Sequence, residues 1–301
     1  PQACYETELI FKSVAAPKKI AVVGAGPAGL AFATYAAARG HEVHLFEQAN
    51  EIGGQFNYAK QVPGKEEFHE TLRYYNKRIQ VTGVKLHLDT RVDANLLAQQ
   101  GFKEVVMATG IKPRLLTIPG SDHPKVMSYI DVLRDHKHVG AKVAVIGAGG
   151  IGFDVSEYLV EQENLTTNLD KWLAHWGIDK AFKTPGALVE KQLHEPPRQV
   201  YLLQRKSTKV GKGLGKTLGW LHRHYLINHK EQMMNGVSDE KIDDQGLHII
   251  INDEPRVLDV DHIIVCAGQE PLRELQSSLQ EAGMQVHIIG GADVASELDA
   301  K

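Results

Sequence analysis

The chain has 301 residues, 43% of them hydrophobic and 24% charged, which suits two folded domains and argues against a disordered chain. Its net charge of -3 provides no basic field for nucleic acid or an anionic membrane, and no apolar run reaches the roughly 20 residues that span a bilayer. Two cysteines, Cys4 and Cys266, exclude a CxxC redox pair, a four-cysteine zinc site and an iron–sulfur cluster held by this chain alone, and with no secretory pattern in residues 1–12 a cytoplasmic home is expected.

The first informative segment is Ile20-Ala21-Val22-Val23, a continuous apolar run of the kind a buried parallel strand requires. Gly24-Ala25-Gly26-Pro27-Ala28-Gly29 follows directly, and an Ala-rich helical stretch runs from Leu30 until Gly40 closes it. In such a turn Gly24 permits the sharp reversal, Gly26 lets the backbone approach a pyrophosphate, and Gly29 lets helix and strand pack closely. A second strand, Glu42–Phe46, ends at Glu47, about 20 residues past the first glycine, where a carboxylate accepts ribose hydroxyls. The glycine pair in Ile52-Gly53-Gly54-Gln55-Phe56 suits a backbone lying flush against an extended ligand. Glu104-Val105-Val106-Met107-Ala108-Thr109-Gly110 reads as a buried strand ending in small residues, with room for a cofactor in the crevice beyond it. Together these motifs resemble the FAD fingerprints of flavoproteins with two dinucleotide-binding domains.

Lys142–Ile146 repeats the strand, followed by Gly147-Ala148-Gly149-Gly150-Ile151-Gly152 and a helix over residues 153–160. A second copy about one domain length after the first predicts one nucleotide unit inserted into another. Residues 161–198 form a detour in which Trp172 and Trp176 share one face of a small helix that packs on the domain. The next strand, residues 199–203, ends in Gln204-Arg205-Lys206 with no carboxylate. A carboxylate there would repel a 2′-phosphate and an arginine can engage one, so NADPH is expected over NADH. Gly211-Lys212-Gly213-Leu214-Gly215-Lys216-Thr217 lacks the Walker spacing and reads as a flexible loop opening a helix, a contact with dinucleotide phosphates being left open. His222 and His224 diverge on that helix, and the fifteen histidines form no metal-binding pattern.

Residues 260–265 form a further buried strand ending Cys266-Ala267-Gly268, mirroring Ala108-Thr109-Gly110. Residues 286–289 read as the last strand, followed by Gly290-Gly291-Ala292-Asp293. Asp293 suits a helix N-cap and also resembles the second FAD motif, whose carboxylate binds a ribityl hydroxyl. A helix starting there would be cut at Lys301, and Pro1 is not an initiator methionine, so the chain is expected to be a fragment of a longer protein.

The whole chain, residues 1–301, resembles the C-terminal half of bacterial 2,4-dienoyl-CoA reductase. The matching motifs are Gly53-Gly54-Gln55-Phe56, Pro63-Gly64-Lys65-Glu66-Glu67-Phe68, residues 147–154, Leu203-Gln204-Arg205-Lys206, Gly213-Leu214-Gly215-Lys216-Thr217 and Cys266-Ala267-Gly268-Gln269-Glu270-Pro271. The fold expected is α/β, two Rossmann-like dinucleotide-binding domains with the NADPH domain inserted into the FAD domain. Residues 1–16 would be a linker from a missing upstream domain, residues 17–127 and 271–301 the FAD-binding domain, and residues 128–270 the NADPH-binding domain. The resemblance implies an FAD site of Gly24, Gly26, Pro27, Ala28, Gly29, Glu47, Gln48, Gly54, Gln55, Val92, Ala108, Thr109, Gly110, Gly291 and Asp293. It implies an NADPH site of Gly147, Gly149, Gly150, Ile151, Gly152, Gln204, Arg205, Lys206, Ala267 and Gly268. It further implies an N-terminal FMN-binding barrel and a four-cysteine iron–sulfur cluster upstream of Pro1 as partners, with no metal held here. Cys4 is not read as a ligand.

Electrons would pass from NADPH to FAD, then through the cluster and FMN to a dienoyl-CoA in fatty-acid breakdown. Hydride transfer requires positioning rather than an acid or base, so no obligatory catalytic side chain is expected, and Asp154 is the candidate for tuning near the nicotinamide. An amine dehydrogenase of the trimethylamine type shares the plan without turning over pyridine nucleotide, and a module of another NADH:flavin oxidoreductase or a non-catalytic nucleotide-binding structural module are the further alternatives. Intact glycines at 147–152 together with Arg205-Lys206 favour a working NADPH site, and the lack of a cysteine pair excludes a thioredoxin-reductase reading.

Overall fold

The computed structural model describes residue 5 and residues 7–295, and the chain divides into two units. Cys4 and the helix expected beyond Asp293 lie outside the described residues. In chain order the first elements are β1 (Lys19–Val23), α1 (Pro27–Ala38), β2 (Glu42–Phe46), α2 (Phe56–Ala59), α3 (Glu67–Thr82), β3 (Lys85–His87), α4 (Ala94–Gln99), β4 (Glu104–Met107) and β5 (Ile111–Pro113). Next come β6 (Val126–Ser128), α5 (Tyr129–Leu133), β7 (Lys142–Ile146), α6 (Gly150–Val160), α7 (Leu169–Trp176), β8 (Gln199–Gln204) and α8 (Gly219–Asn228). Strands β9 (Gln232–Asn235), β10 (Ser238–Asp243), β11 (Gly246–Ile251), β12 (Glu254–Leu258) and β13 (His262–Val265) follow. The chain then returns through β14 (Gln269–Pro271), α9 (Gln276–Glu281) and β15 (Gln285–Ile288).

The first unit comprises residues 1–57, 68–112 and 269–301. Its sheet has the order β15-β4-β1-β2-β3, with every pair parallel. Side chains alternate across a strand, so β1 must feed two cores. Ile20 and Val22 share one with Leu30 and Ala33 of α1, whereas Ala21 and Val23 share the other with Leu97, Phe102 and Leu279. The edge strand β15 pairs Val286 with Val105, so the sheet is complete only after the chain has returned from the second unit.

The second unit comprises residues 58–67 and 113–268. Its main sheet, β6-β13-β7-β8-β9, is again wholly parallel and places β7 where the first unit has β1. Val143 and Val145 pack with Phe153 and Leu159 of α6. On the other face Ala144 and Ile146 pack with Leu247, Ile249 and Leu258, so an antiparallel sheet, β10-β11-β12, covers the side that a helix would cover in a regular βαβ unit.

The unit boundaries differ from those read in the sequence at three places, the slightest being the end of the second unit at residue 268 rather than 270. Residues 58–67 sit in the second unit, because Val62 is buried in its core, Lys65 pairs with Asp154, and Glu66 accepts hydrogen bonds from Asn164 and Thr166. The second unit also begins at residue 113 rather than 128, since Leu116 and Ile118 pack onto the core under the antiparallel sheet.

Candidate functional site

In the first unit the glycine turn after β1 is specified by contacts that no side chain could share. Gly24 has φ +104°, and a Cβ on it would stand 2.4 Å from the Ala108 carbonyl oxygen. A Cβ on Gly29 would stand 1.9 Å from the Gly24 carbonyl oxygen, so helix and turn close only around glycine. Gly26 is different in kind, because its nearest neighbour would be the Cα of Gly54 at 3.9 Å, and the space beside it is open. Gly54 in turn has φ +50° and lies against Gly26, and the Gly53 N–H donates to the Ala25 carbonyl at 2.8 Å. The fold thus lays the second glycine pair on the first turn.

Glu47 sits at the end of β2 with one carboxylate oxygen accepting from the Ala25 N–H at 2.8 Å and the other from the Ala49 N–H at 2.9 Å. A carboxylate has about four acceptor positions, so roughly half of them remain for hydroxyls. Helix α1 has no side-chain cap at Gly26 and no acid in its first turn, leaving its first N–H groups for an anion. The end of β4 joins the same edge. Thr109 Oγ1 donates to the Leu272 carbonyl at 2.6 Å, and a Cβ on Gly291 would meet Gly110 at 3.4 Å. Gly290 stands over Ala28, where its missing Cβ would be 2.5 Å from the alanine methyl.

Gly24 to Gly29, Glu47, Gly54, Ala108 to Gly110 and Gly291 therefore converge at the carboxyl ends of β1, β2, β4 and β15. That is where open parallel sheets of this order bind ligands. Gln48 is exposed and Gln55 half-buried close to this edge in sequence. Val92 is 4% exposed and shares a core cluster with Val23 and Met107, so only its main chain is available to a ligand. Asp293 caps a short turn at residues 290–292, and Arg273, which the sequence did not single out, donates to the Ala292 carbonyl at 2.6 Å and to that of Asp293. The guanidinium also lies 3.5 Å from the Asp293 carboxylate, which it orients.

The second unit repeats the device. Gly147 has φ +108° and its missing Cβ would lie 2.4 Å from the Cys266 carbonyl oxygen, the counterpart of Ala108. A Cβ on Gly152 would lie 1.8 Å from the Gly147 carbonyl oxygen, whereas Gly149 has nothing within 4 Å. Helix α6 likewise has no side-chain cap at Gly149 and no acid in its first turn. Ile151 packs on the unit's core. Gly268 has φ +104° and accepts from the Arg114 N–H at 3.0 Å, with the Arg114 guanidinium beside it. Burial pushes the Cys266 thiol up, away from thiolate chemistry.

At the end of β8 the Gln204 amide donates to the carbonyls of Lys206 at 2.9 Å and Thr208 at 2.6 Å, so it shapes the turn that presents Arg205 and Lys206. A carboxylate does face this strand end, contrary to what the strand alone shows. Asp239, from β10, is raised to about 6 by burial, with Arg205 drawing it back down. Asp154 is held by Lys65 at 2.6 and 2.7 Å, an ion pair joining α6 to residues 58–67. Trp172 and Trp176 do lie on one helix, α7, but the side chain it buries is His175, stacked on His229 with ring centroids 5.2 Å apart.

Among the described residues no three His, Cys, Asp or Glu side chains are grouped as metal ligands, and no helix is long and apolar enough to cross a membrane. A model of the family of pyridine nucleotide-disulphide oxidoreductases matches residues 18–299. The chain is 28% identical to a metal reductase from Desulforamulus reducens over 97% of its own length and 43% of that protein's. It is 36% identical to a cinnamate reductase from Clostridium sporogenes over 54% of its own length and 24% of that protein's. Its fold matches a 2-naphthoyl-CoA reductase solved with 2-naphthoyl-CoA at a TM-score of 0.82 and 25% identity, covering 99% of this chain and 40% of the other. The chain thus spans less than half the length of each of these relatives.

Proposed function

The chain belongs to the pyridine nucleotide-disulphide oxidoreductase family, an FAD- and NAD(P)H-binding family, and from that premise we propose that it is the electron-input part of a longer NADPH-dependent flavoenzyme. When both cofactors are bound, the flavin supplies the acceptor for hydride from the nicotinamide. The residues fit both groups, because each unit has an uncapped helix N-terminus beside a glycine, Gly26 or Gly149, whose missing side chain leaves an open cradle.

In the first unit Gly26, Gly54 and the N–H groups at the start of α1 would hold the pyrophosphate, and Glu47, already anchored to the turn, would accept ribose hydroxyls. Asp293, steadied by Arg273, would receive the ribityl chain, and Ala108 to Gly110 leave space for the ring. In the second unit Gly147 to Gly152 would hold the pyrophosphate, and Arg205 with Lys206 would take the 2′-phosphate. Each of these residues binds or orients and none has to move a proton, as suits hydride transfer, which asks the protein for position and electrostatics.

In the reading we favour, the rest of the longer enzyme carries an FMN barrel and a four-cysteine iron–sulfur cluster and reduces the carbon–carbon double bonds of a dienoyl-CoA. The observation that carries the proposal is the two uncapped glycine turns, the second followed by Arg205. The test is anaerobic mixing of the FAD-loaded chain with NADPH or NADH while the visible flavin absorbance is followed. Bleaching by NADPH faster than by NADH is expected. In Arg205→Ala the advantage should shrink by about 10- to 100-fold, the value of a charge-assisted phosphate contact. No bleaching by either nucleotide would sink the proposal, and faster bleaching by NADH would overturn the role of Arg205.

A further inference from the structure

Helix α6 carries two carboxylates, and each is held by a cation from a different element of the second unit. Asp154 and Glu157 are three residues apart, so they share one face, where like charges repel. Lys65, in residues 58–67, holds Asp154 at 2.6 and 2.7 Å, and His222 of α8 holds Glu157 at 2.6 Å. The result is two adjacent ion pairs, and they sit differently toward water. The Glu157 side chain is 7% exposed and that of His222 29%, so the carboxylate depends on the imidazole for its charge, while a proton on the imidazole has an exit.

Burial pushes Glu157 up, and its hydrogen bond with His222 draws it back down. That hydrogen bond pushes His222 up against its own burial, the Asp154 charge adding to the rise and Lys65 opposing it. The pair therefore keeps one proton near neutral pH, and losing it leaves a negative charge next to Asp154. The other groups around the pair are accounted for. Burial pushes Glu231, after α8, well up and Tyr225, on α8, up as well, so both stay protonated. Glu161, past the end of α6, is raised to about 7 by burial and accepts from the Leu165 N–H at 2.7 Å. Arg223 donates to the Val210 carbonyl, and His224 packs edge-on to Trp220. Burial pushes the Cys266 thiol up and the Asp154 charge adds to that, so Asp154 is felt at the end of β13, on the carboxyl edge of the sheet.

We propose that Glu157 and His222 form a proton-holding pair coupled to the charge of the nicotinamide ring, so that the second unit sheds a proton as its nucleotide passes from the reduced to the oxidised form. The inference rests on the pyridine-nucleotide reading of this unit and adds a charge-compensating pair to it. Transfer of hydride to the flavin breaks a C–H bond of the nicotinamide and carries its electron pair away, leaving the ring with one positive charge and the flavin reduced. A positive charge at the carboxyl edge weakens the hold of His222 on its proton, which leaves for water, and the deprotonated pair then offsets the charge of the ring. Glu157 and His222 are positioning residues here, since neither has to touch the nucleotide.

The test follows the His222 ring by NMR through a pH titration of the FAD-loaded chain, its signal identified by its loss in His222→Gln. Three samples are compared: the chain alone, with NADP⁺, and with a tetrahydro analogue of NADPH whose ring is uncharged and cannot give up hydride. His222 should titrate above 6.5 in the chain alone and with the analogue, and about half a pH unit lower with NADP⁺. By reciprocity, NADP⁺ affinity should rise about 3-fold more than that of the analogue between pH 6 and 8.5. Calorimetry at pH 7 in two buffers of different ionisation enthalpy should show a fraction of a proton released by NADP⁺ and not by the analogue. Glu157→Gln should abolish that release, because His222 without its partner is already neutral, and Glu161→Gln should keep it. A His222 titration that ignores NADP⁺, or a release that survives Glu157→Gln, overturns the proposal. The NMR titration uses the unaltered chain, so it decides the matter even if Glu157→Gln does not fold. Bleaching by NADPH with a His222 that ignores NADP⁺ refutes the pair alone, whereas failure of either nucleotide to bind sinks the proposed function and the pair with it.

Discussion

At the scale of single residues, the glycines of each turn do different work, and the structure separates them. The third glycine, Gly29, cannot accept a methyl group, because the atom it would strike at 1.9 Å is a backbone oxygen that has nowhere to move. Gly29→Ala should therefore cost more than the 1–3 kcal/mol typical of overpacking and leave the protein without FAD. Gly149→Ala meets nothing within 4 Å, so it should fold normally. If the proposed pyrophosphate site is right, its methyl group should instead crowd that ligand, raising the KM for NADPH while the melting temperature and flavin content stay unchanged. Thermal melts and flavin-to-protein absorbance ratios on the two variants check both statements. The spacing of these glycines was legible in the sequence because strand, turn and helix are contiguous. Arg273 and Asp239 were not, since each reaches its site from an element far along the chain.

At the scale of elements, α6 and α8 enclose a group of carboxylates that no motif announced. Glu157 lies on α6, Glu161 follows that helix's last residue, Val160, and His222 on α8 meets Glu157 at 2.6 Å. Burial pushes Glu157 up, Glu231 well up and Glu161 to about 7, and the Glu157 carboxylate pushes His222 up. A carboxyl that keeps its proton to about pH 7 when folded, but releases it near 4.5 when unfolded, makes the folded state the better proton binder across that window. Stability then falls as pH rises through it.

Burial of His175 against α8 works in the opposite sense. Its imidazole is lowered from 6.5 to about 4, so stability is lost on acidification below about 6.5. Between pH 6.5 and 8 the carboxylates act alone of these two, and the melting temperature should decline. In Glu161→Gln that decline should be smaller by on the order of 2 °C, a figure kept low because the side chain is partly solvated. An equal decline in the two chains would show that Glu161 is not the group responsible. Helix periodicity marks which residues share a face, but it does not say that the face will be covered by α8, so the burial of these acids was not legible in the sequence.

At the scale of the whole molecule, the second unit enters and leaves the first through two adjacent strands. β5 and β14 pair with each other, and the Leu272 N–H donates to the Gly110 carbonyl at 3.0 Å. Joining Lys112 to Gln269 by a short linker and removing residues 113–268 should therefore leave the β15-β4-β1-β2-β3 sheet whole. The shortened chain should bind FAD and be bleached by dithionite but not by NADPH. It will need residues 58–67 replaced as well, because Val62 would lose the core that buries it. Failure to take up FAD with the sheet intact by circular dichroism would show that the first unit's site depends on residues of the second.

The sequence by itself determined that there are two nucleotide units, one set inside the other, and which residues form each glycine turn. Those features are written within stretches of about 25 residues, where strand, turn, helix and acid must follow in order. Only the tertiary structure decided the rest. It moved residues 58–67 into the second unit, covered one face of that unit's sheet with antiparallel strands, and set Asp239 against Arg205 and Arg273 against Asp293. It also brought His222 of α8 to Glu157 of α6. Each of these depends on which distant segment packs where, and that is settled by burial across the fold rather than by local pattern.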